Sequence, residues 1–470
     1  MTAADALRRG RMRPVSRSAG ADTLVVAFFA LVGFRLGLAP LRDNSAFTHL
    51  ATGIHMVAHG VVPAIPRIDP YSFTAAGHAW VVQSWLPSAA VGWVYRLVGE
   101  HGVTLLSGVT MGALAWLIGS LARTGRPMRT AIATAAALAV GVPWWAPRPL
   151  LVGLLCLALT VLIVERAWSP WWLVPVVWVW VNSHGSFPLG LLWVGLVCIT
   201  DRRVVPYLGA FAAGLVAACV NPLGPRLLVF PLAALDKREV FARVNEWGRP
   251  DFASAQGVVT LAGLVVAIVV LWRGEREWRD LLPVAVFFVL ALTAERNLPA
   301  LAVVLAPALG RPSSAETPVV ALAAQNVRVV LTGLVVAALV VGVMALQRPL
   351  VDASSYPVSA IVWLEEHGRF QSPHRVASTD RVGNFLELRH GPRREVFIDD
   401  RVDMFPIGLT KDYIAMRDNE TRGVAALDRW KIDTVLWEAD KPFVARLLRT
   451  KHWTLGVRRQ AWVVLLRSDN

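Results

Sequence analysis

The chain has 470 residues, 55% hydrophobic and 17% charged, with a mean hydropathy of +0.50, and its apolar runs recur too often for a soluble enzyme of this length. The net charge of +14 rests almost entirely on arginine, with only five Lys; in so apolar a chain it points to loops facing anionic lipid or phosphate, and no nucleic-acid partner is expected. Cys156, Cys198 and Cys219 all lie inside apolar runs, so neither a disulfide framework nor a cysteine-based metal site is expected.

In chain order, residues 1–22 form a basic N-terminus carrying Arg8, Arg9, Arg11, Arg13 and Arg17. No small-residue cleavage site follows the first apolar run, which reads as an uncleaved helix anchored on the cytoplasmic side. Apolar runs at 23–40, 101–122, 129–145, 150–164, 171–181, 187–200, 204–220, 258–271, 281–294, 298–309 and 327–346 predict about eleven membrane spans in a domain of residues 23–346. The first loop, 41–100, contains an ambiguous segment at 80–99 with Gln83, Pro87 and Arg96. Laid along the interface, that segment leaves the arginine-bearing loops at 123–129, 201–203 and 272–279 all on the cytoplasmic side. The same choice brings the first loop, Arg148, the turn at 182–185 and the loops at 221–226, 246–251 and 295–297 to the outer face.

After residue 346 the composition changes. Residues 350–470 carry 19 basic and 17 acidic residues and read as a small α/β domain, extracytoplasmic on this topology. Alternating patterns predict strands at 375–379, 395–398, 434–438 and 462–466, and amphipathic runs predict helices at 356–367 and 443–448.

Candidate site residues gather on the outer face. Asp43, just past the first helix, is placed to act as general base toward an acceptor hydroxyl; the competing reading is that it caps the interfacial helix that follows. Asp69 precedes Pro70, which makes it a turn residue in the simpler reading. His55 and His59 have the i, i+4 spacing of metal ligands, but no HExxH pattern accompanies them, and interfacial histidines such as His49 need no ligand. No cofactor is required, and a divalent metal held by Asp43 and another acid stays open. Arg148, Arg226, Arg249 and Arg296 suit bidentate phosphate binding, against which stands ordinary snorkelling of boundary arginines. His184 shares a polar turn with Asn182, and Glu295 with Arg296 interrupts two apolar runs, where a structural ion pair is the plainer alternative. Asp399, Asp400, Arg401 and Asp403 follow a predicted strand and read as a solvated acidic turn, with sugar or cation binding as the alternative. Walker, GxGxxG, zinc-ribbon and nucleophile-elbow motifs do not occur in the sequence.

The ordered series Asp43…His49-Leu-Ala-Thr-Gly53, Asp69-Pro-Tyr-Ser-Phe-Thr74, Trp80…Trp85-Leu86, Arg148-Pro149, Asn182…His184-Gly185, Asn221-Pro222…Gly224, Arg296-Asn297 and Val396-Phe-Ile-Asp399…Arg401-Val-Asp403 resembles bacterial membrane proteins related to the GT-C superfamily of polytopic glycosyltransferases. The resemblance covers most of the chain. It departs at Ser45, where that set often carries a second acid, and at Phe47-Thr48, where it often carries a Trp pair. It implies a multi-pass enzyme of the bacterial plasma membrane, moving a sugar with inversion from a polyprenyl-phosphate donor to an envelope glycan, lipid or protein acceptor on the outer face. It further implies Asp43 as the catalytic base and His49, Asp69, Arg148, His184 and Arg296 as donor- or substrate-binding residues. A lipid-linked-glycan transporter and a non-catalytic envelope-assembly scaffold are the alternatives.

Overall fold

The computed structural model describes residues 19–235, 247–311 and 324–468; the basic stretch 1–18 and Glu246 lie outside the described residues. Helix α1 (Ala19–Gly37) leads into two helices of the first loop, α2 (Asn44–Ala58) and α3 (Trp85–Val98). Then follow α4 (Glu100–Leu121), α5 (Pro127–Gly141), α6 (Leu150–Glu165), α7 (Leu173–Val181), α8 (Phe187–Thr200), α9 (Val205–Ala217), α10 (Arg226–Leu235), α11 (Ala255–Trp272), α12 (Trp278–Thr293), α13 (Leu298–Gly310) and α14 (Ala324–Ala345). Every predicted apolar run overlaps one of these helices, and several run past its end. Four segments are long and apolar enough to cross a membrane, Gly20–Gly37, Glu100–Leu121, Ala255–Trp272 and Asn326–Ala345. The remaining runs form helices of at most 16 residues, which rise about 24 Å against a hydrocarbon core of about 30 Å. The described structure thus carries four span-length helices where the sequence predicts about eleven crossings.

Successive helices carry their polar ends to opposite ends of the bundle. At one end Gly125 N–H donates to Asp22 (2.8 Å), Arg166 reaches Ser120 O (3.5 Å), and Glu165 pairs with Arg279 (3.1 Å) and Arg311 (2.9 Å). Arg279 also lies 3.7 Å from Asp201. At the other end Trp85 Nε1 donates to Asn182 Oδ1 (2.9 Å), Arg67 to Pro222 O (2.8 Å) and Glu295 N–H to Gly248 O (3.0 Å). The loops that the charge pattern assigns to one side therefore do share one end.

Two helix crossings depend on glycine. A Cβ on Gly37 of α1 would stand 2.4 Å from the Ser107 carbonyl of α4, and one on Gly53 of α2 would stand 2.0 Å from the Ser88 carbonyl of α3. Only a missing side chain lets these backbones touch. The segment predicted to lie along the interface is α3, locked onto α2 at this crossing.

The chain leaves α14 beside the start of the first loop, where Leu41 N–H donates to Leu350 O (2.7 Å) and Arg42 pairs with Asp352 (3.0 Å). The C-terminal domain is α/β as predicted. It comprises α15 (Val358–Glu366), β1 (Val376–Ser378), α16 (Asp380–His390), α17 (Ile407–Arg417), α18 (Thr421–Arg429), β2 (Thr434–Glu438), α19 (Pro442–Leu448), β3 (Trp453–Arg459) and β4 (Trp462–Arg467). The sheet order is β1-β2-β4-β3, with β1 parallel to β2 and the other pairs antiparallel.

The strand predicted at 395–398 does not join this sheet. Val396 instead bridges to Ser72 of the first loop, with Val396 N–H donating to Tyr71 O (3.1 Å) and Phe73 N–H to Val396 O (3.0 Å). Val396, Phe397 and Ile398 are all buried, so an extended backbone without a sheet neighbour finds its partners across the domain boundary. Phe47 of α2 packs edge-on against Tyr356 (5.4 Å) and Phe385 (6.2 Å), which seats the domain on the first loop.

Candidate functional site

A cavity of about 250 Å³ opens where α2, the polar end of the bundle and the 400–403 turn meet. Its wall includes Thr48 and His49 from α2, Arg148 from the α5–α6 break, His184 from the α7–α8 turn, Arg296 from the α12–α13 break, and Asp400, Arg401 and Asp403 from the C-terminal domain. Of the predicted site residues, His49, Arg148, His184 and Arg296 are brought together there. Asp43 and Asp69 do not line it, nor do Arg226 and Arg249.

Each cation sits where the helix is broken. Arg148 stands between Pro147 and Pro149, neither of which can continue a helix through that point. Arg296 lies in the short turn Glu295–Asn297, its guanidinium 4.3 Å from the Trp247 ring. Asp43 occupies the position preceding α2 with extended backbone (φ −85°, ψ 125°), yet its side chain makes no capping bond. It lies 3.6 Å from Arg148, so it reads as an ion-pair partner of that cation and not as a helix cap.

Both histidines are neutral near pH 7. Burial, together with Arg148 and Arg401, lowers the pKa of His49 to about 4. Burial with Arg296 and Arg148 nearby holds His184 well below its ordinary value. His184 Nδ1 accepts from Ser186 N–H (3.1 Å), which puts the ring proton on Nε2. His49 Nδ1 lies 2.9 Å from Ser88 Oγ across the α2–α3 crossing. Neutral imidazoles beside guanidiniums act as hydrogen-bonding groups for an anion without adding charge.

Beneath the cavity lies a buried ion network. Arg401 pairs with Asp69 (2.9 Å), Glu387 (3.1 Å) and Asp399 (2.5 Å), and its guanidinium packs 4.4 Å from the Trp80 ring. Asp69 also accepts from Tyr71 N–H (3.2 Å), Ser72 N–H (2.9 Å) and the Ser72 hydroxyl. Its turn role thus holds, and Oδ1, which accepts from Tyr71 N–H, also faces Arg401 and ties the first loop to the C-terminal domain. One guanidinium faces three carboxyl groups, and burial with the Asp399 charge pushes Glu387 well above the usual carboxylate range. The Thr48 hydroxyl donates to Glu387.

Asp400 is the group that sequence reasoning undervalued. It is half-buried and lines the cavity. Its Oδ1 accepts from Asn384 Nδ2 (2.6 Å), which also donates to Thr48 Oγ1 (2.6 Å). Burial, and then the Asp399 charge, push the Asp400 pKa up to about 7.

A second, mostly apolar crevice of about 90 Å³ runs between α2, α3, α4 and α6, lined by Leu50, Val91, Leu106 and Val152 among others. It shares His49, Arg148 and Pro149 with the polar cavity. The His55 and His59 rings lie 4.6 Å apart, tilted by 36° and outside both linings, and among the described residues no group of three or more His, Cys, Asp or Glu side chains is placed to hold a metal ion. In comparisons with known proteins, no family model and no curated protein matches the chain.

Proposed function

We propose that the chain is a membrane glycosyltransferase of GT-C-like architecture, moving a sugar from a polyprenyl-phosphate donor to an envelope glycan, lipid or protein acceptor. The observation that carries this is the sharing of His49, Arg148 and Pro149 between a polar cavity and an apolar crevice. The phosphate-proximal end of a lipid tail enters the crevice, its phosphate falls at Arg148 with Arg296 on the same cavity, and the sugar occupies the polar space bordered by the 400–403 turn. Charge-assisted bonds from guanidinium and imidazole N–H groups suit a phosphodiester that becomes a dianionic monoester on reaction. The alternating polar ends support about eleven crossings, with the N-terminus inside and the cavity and C-terminal domain on the outer face of a bacterial plasma membrane.

A flippase for lipid-linked glycans would use the same groove and arginines, but it needs no carboxyl group close to neutrality in the cavity wall. The test is incubation of the purified full-length protein with polyprenyl-phosphate mannose, glucose, galactose and arabinose, following donor loss. Consumption of one donor with release of polyprenyl phosphate supports the transferase; binding of the lipid phosphate with no donor consumed removes it.

A further inference from the structure

We propose that Asp400, carried by the C-terminal domain, is the catalytic carboxylate that takes the proton of the acceptor hydroxyl, so that the site is complete only with that domain seated on the first loop. The proposal deepens the lipid-phosphate reading above and rests on it.

Two carboxylates stand on the cavity wall, Asp400 and Asp403, and Asp400 is the one held by the Asn384 amide. Asp69, Asp399 and Glu387 are committed to Arg401 beneath the cavity floor, and Asp43 stands outside the lining, engaged with Arg148. Asp400 is on the wall, in the same cavity as the arginines that hold the departing phosphate. Its orientation is set by Asn384 Nδ2, which is itself anchored on Thr48 of α2. The hydrogen-bonded chain Thr48–Asn384–Asp400 therefore crosses from the first loop to the C-terminal domain. An acid held by a fixed donor on one oxygen is well arranged to receive a proton on the other.

The step balances without a further reactant. The acceptor oxygen attacks the anomeric carbon, its proton passes to the Asp400 carboxylate, and the bond between anomeric carbon and phosphate oxygen breaks. The electron pair leaves on the phosphate, giving a polyprenyl monophosphate dianion against Arg148 and Arg296. Asp400 then returns its proton to water.

The charges that face Asp400 set the pH at which it serves. Asp399 and Arg401 lie on its own turn, Asp380 on α16, Asp43 ahead of α2 outside the lining, and His49 and Arg148 on the cavity wall. Burial and the acidic neighbours outweigh the Asn384 bond and place the midpoint at about 7. The basic form grows with pH, so turnover rises about tenfold per unit below the midpoint and levels off above it.

The experiment uses the full chain in lipid nanodiscs, with polyprenyl monophosphate as the binding probe and the four donors named above for turnover. Asp400→Asn is expected to bind the probe within about twofold of wild type and to lose turnover by about 10²–10⁴-fold. Asn384→Ala removes a donor that favours the charged form, and is expected to shift the turnover midpoint to higher pH with recovery by about pH 9. Retention of turnover by Asp400→Asn overturns the proposal, as does loss on Asp403→Asn alone. Wild type that binds the probe but consumes no donor also overturns it and leaves the lipid-phosphate site standing. Wild type that fails to bind the probe removes the underlying reading itself.

Discussion

The Arg148 guanidinium lies 3.6 Å from the Asp43 carboxylate, and neither side chain is more than one-fifth exposed, at 16% and 19%. The pair joins the proline-flanked α5–α6 break to the start of α2, so the carboxylate aims the guanidinium at the wall shared by cavity and crevice. A charge-assisted hydrogen bond from such a guanidinium to a phosphate oxygen contributes about 1.5–3 kcal/mol, or about 10–100-fold in affinity. Arg148→Ala should weaken polyprenyl monophosphate binding by that factor. Asp43→Asn should raise KM for the donor about tenfold with kcat little changed. A fall in kcat of about 10²-fold or more with KM unchanged would return the proton transfer to Asp43.

Arg401 holds three carboxyl groups inside the protein. Removing it in Arg401→Met leaves Asp69, Asp399 and Glu387 buried without their cation, at a cost of about 3–5 kcal/mol. Thermal unfolding should drop, and limited proteolysis should reach the Ser72–Val396 bridge between the first loop and the C-terminal domain. Arg401→Lys keeps the charge but not the fork, and should rescue little of the loss.

Gly53 is set by contact and not by chain flexibility. In Gly53→Val the new Cβ would meet the Ser88 carbonyl at 2.0 Å, and backbone cannot step aside as a side chain can. Separation of α2 from α3 also breaks the His49–Ser88 contact, so binding of the lipid phosphate should fall together with stability, by about 1–3 kcal/mol or more. Gly195→Ala, where an added Cβ meets nothing within 4 Å in the interior of α8, should leave binding unchanged and stability equal or slightly higher.

His390 makes the C-terminal domain pH-sensitive. Burial alone would lower its pKa, but Glu395 at 2.6 Å and Glu365 at 2.7 Å outweigh it and raise the value. A raised folded-state pKa stabilises fully below the ordinary histidine value, and the stabilisation is lost as pH climbs through the folded-state pKa. Tm should therefore fall on going from about pH 6 to about pH 8. In His390→Asn that slope should flatten; an unchanged slope would assign the dependence to other groups.

A reporter fused after Asn470 reads the side on which the C-terminal domain lies. An extracytoplasmic signal is expected. A cytoplasmic one would place the cavity away from any outer-face acceptor.

Much of the helical architecture was legible because it is local: an apolar run that cannot face water becomes a helix wherever it stands, and all eleven runs did. Charge in the loops likewise sorted the helix ends, since the arginine-bearing loops gather at one end and His49, Arg148, His184 and Arg296 at the other. Helices α16, α17 and α18 escaped the pattern because α16 and α18 are rich in charge along their length, and their burial comes from neighbours distant in sequence.

What the sequence by itself determined is therefore the class of segment: apolar helices, a polar first loop, a mixed-charge α/β domain and a set of candidate cations. What only the tertiary structure decided is which polar groups meet. Asp43 pairs with Arg148 outside the cavity, Asp69 goes beneath it, and Asp400 comes onto its wall. Apolar character is carried by each residue wherever it stands. The role of a carboxyl group depends on what packs over it, and here that cover comes from more than 300 residues away, as in the Thr48–Asn384 contact with its sequence separation of 336.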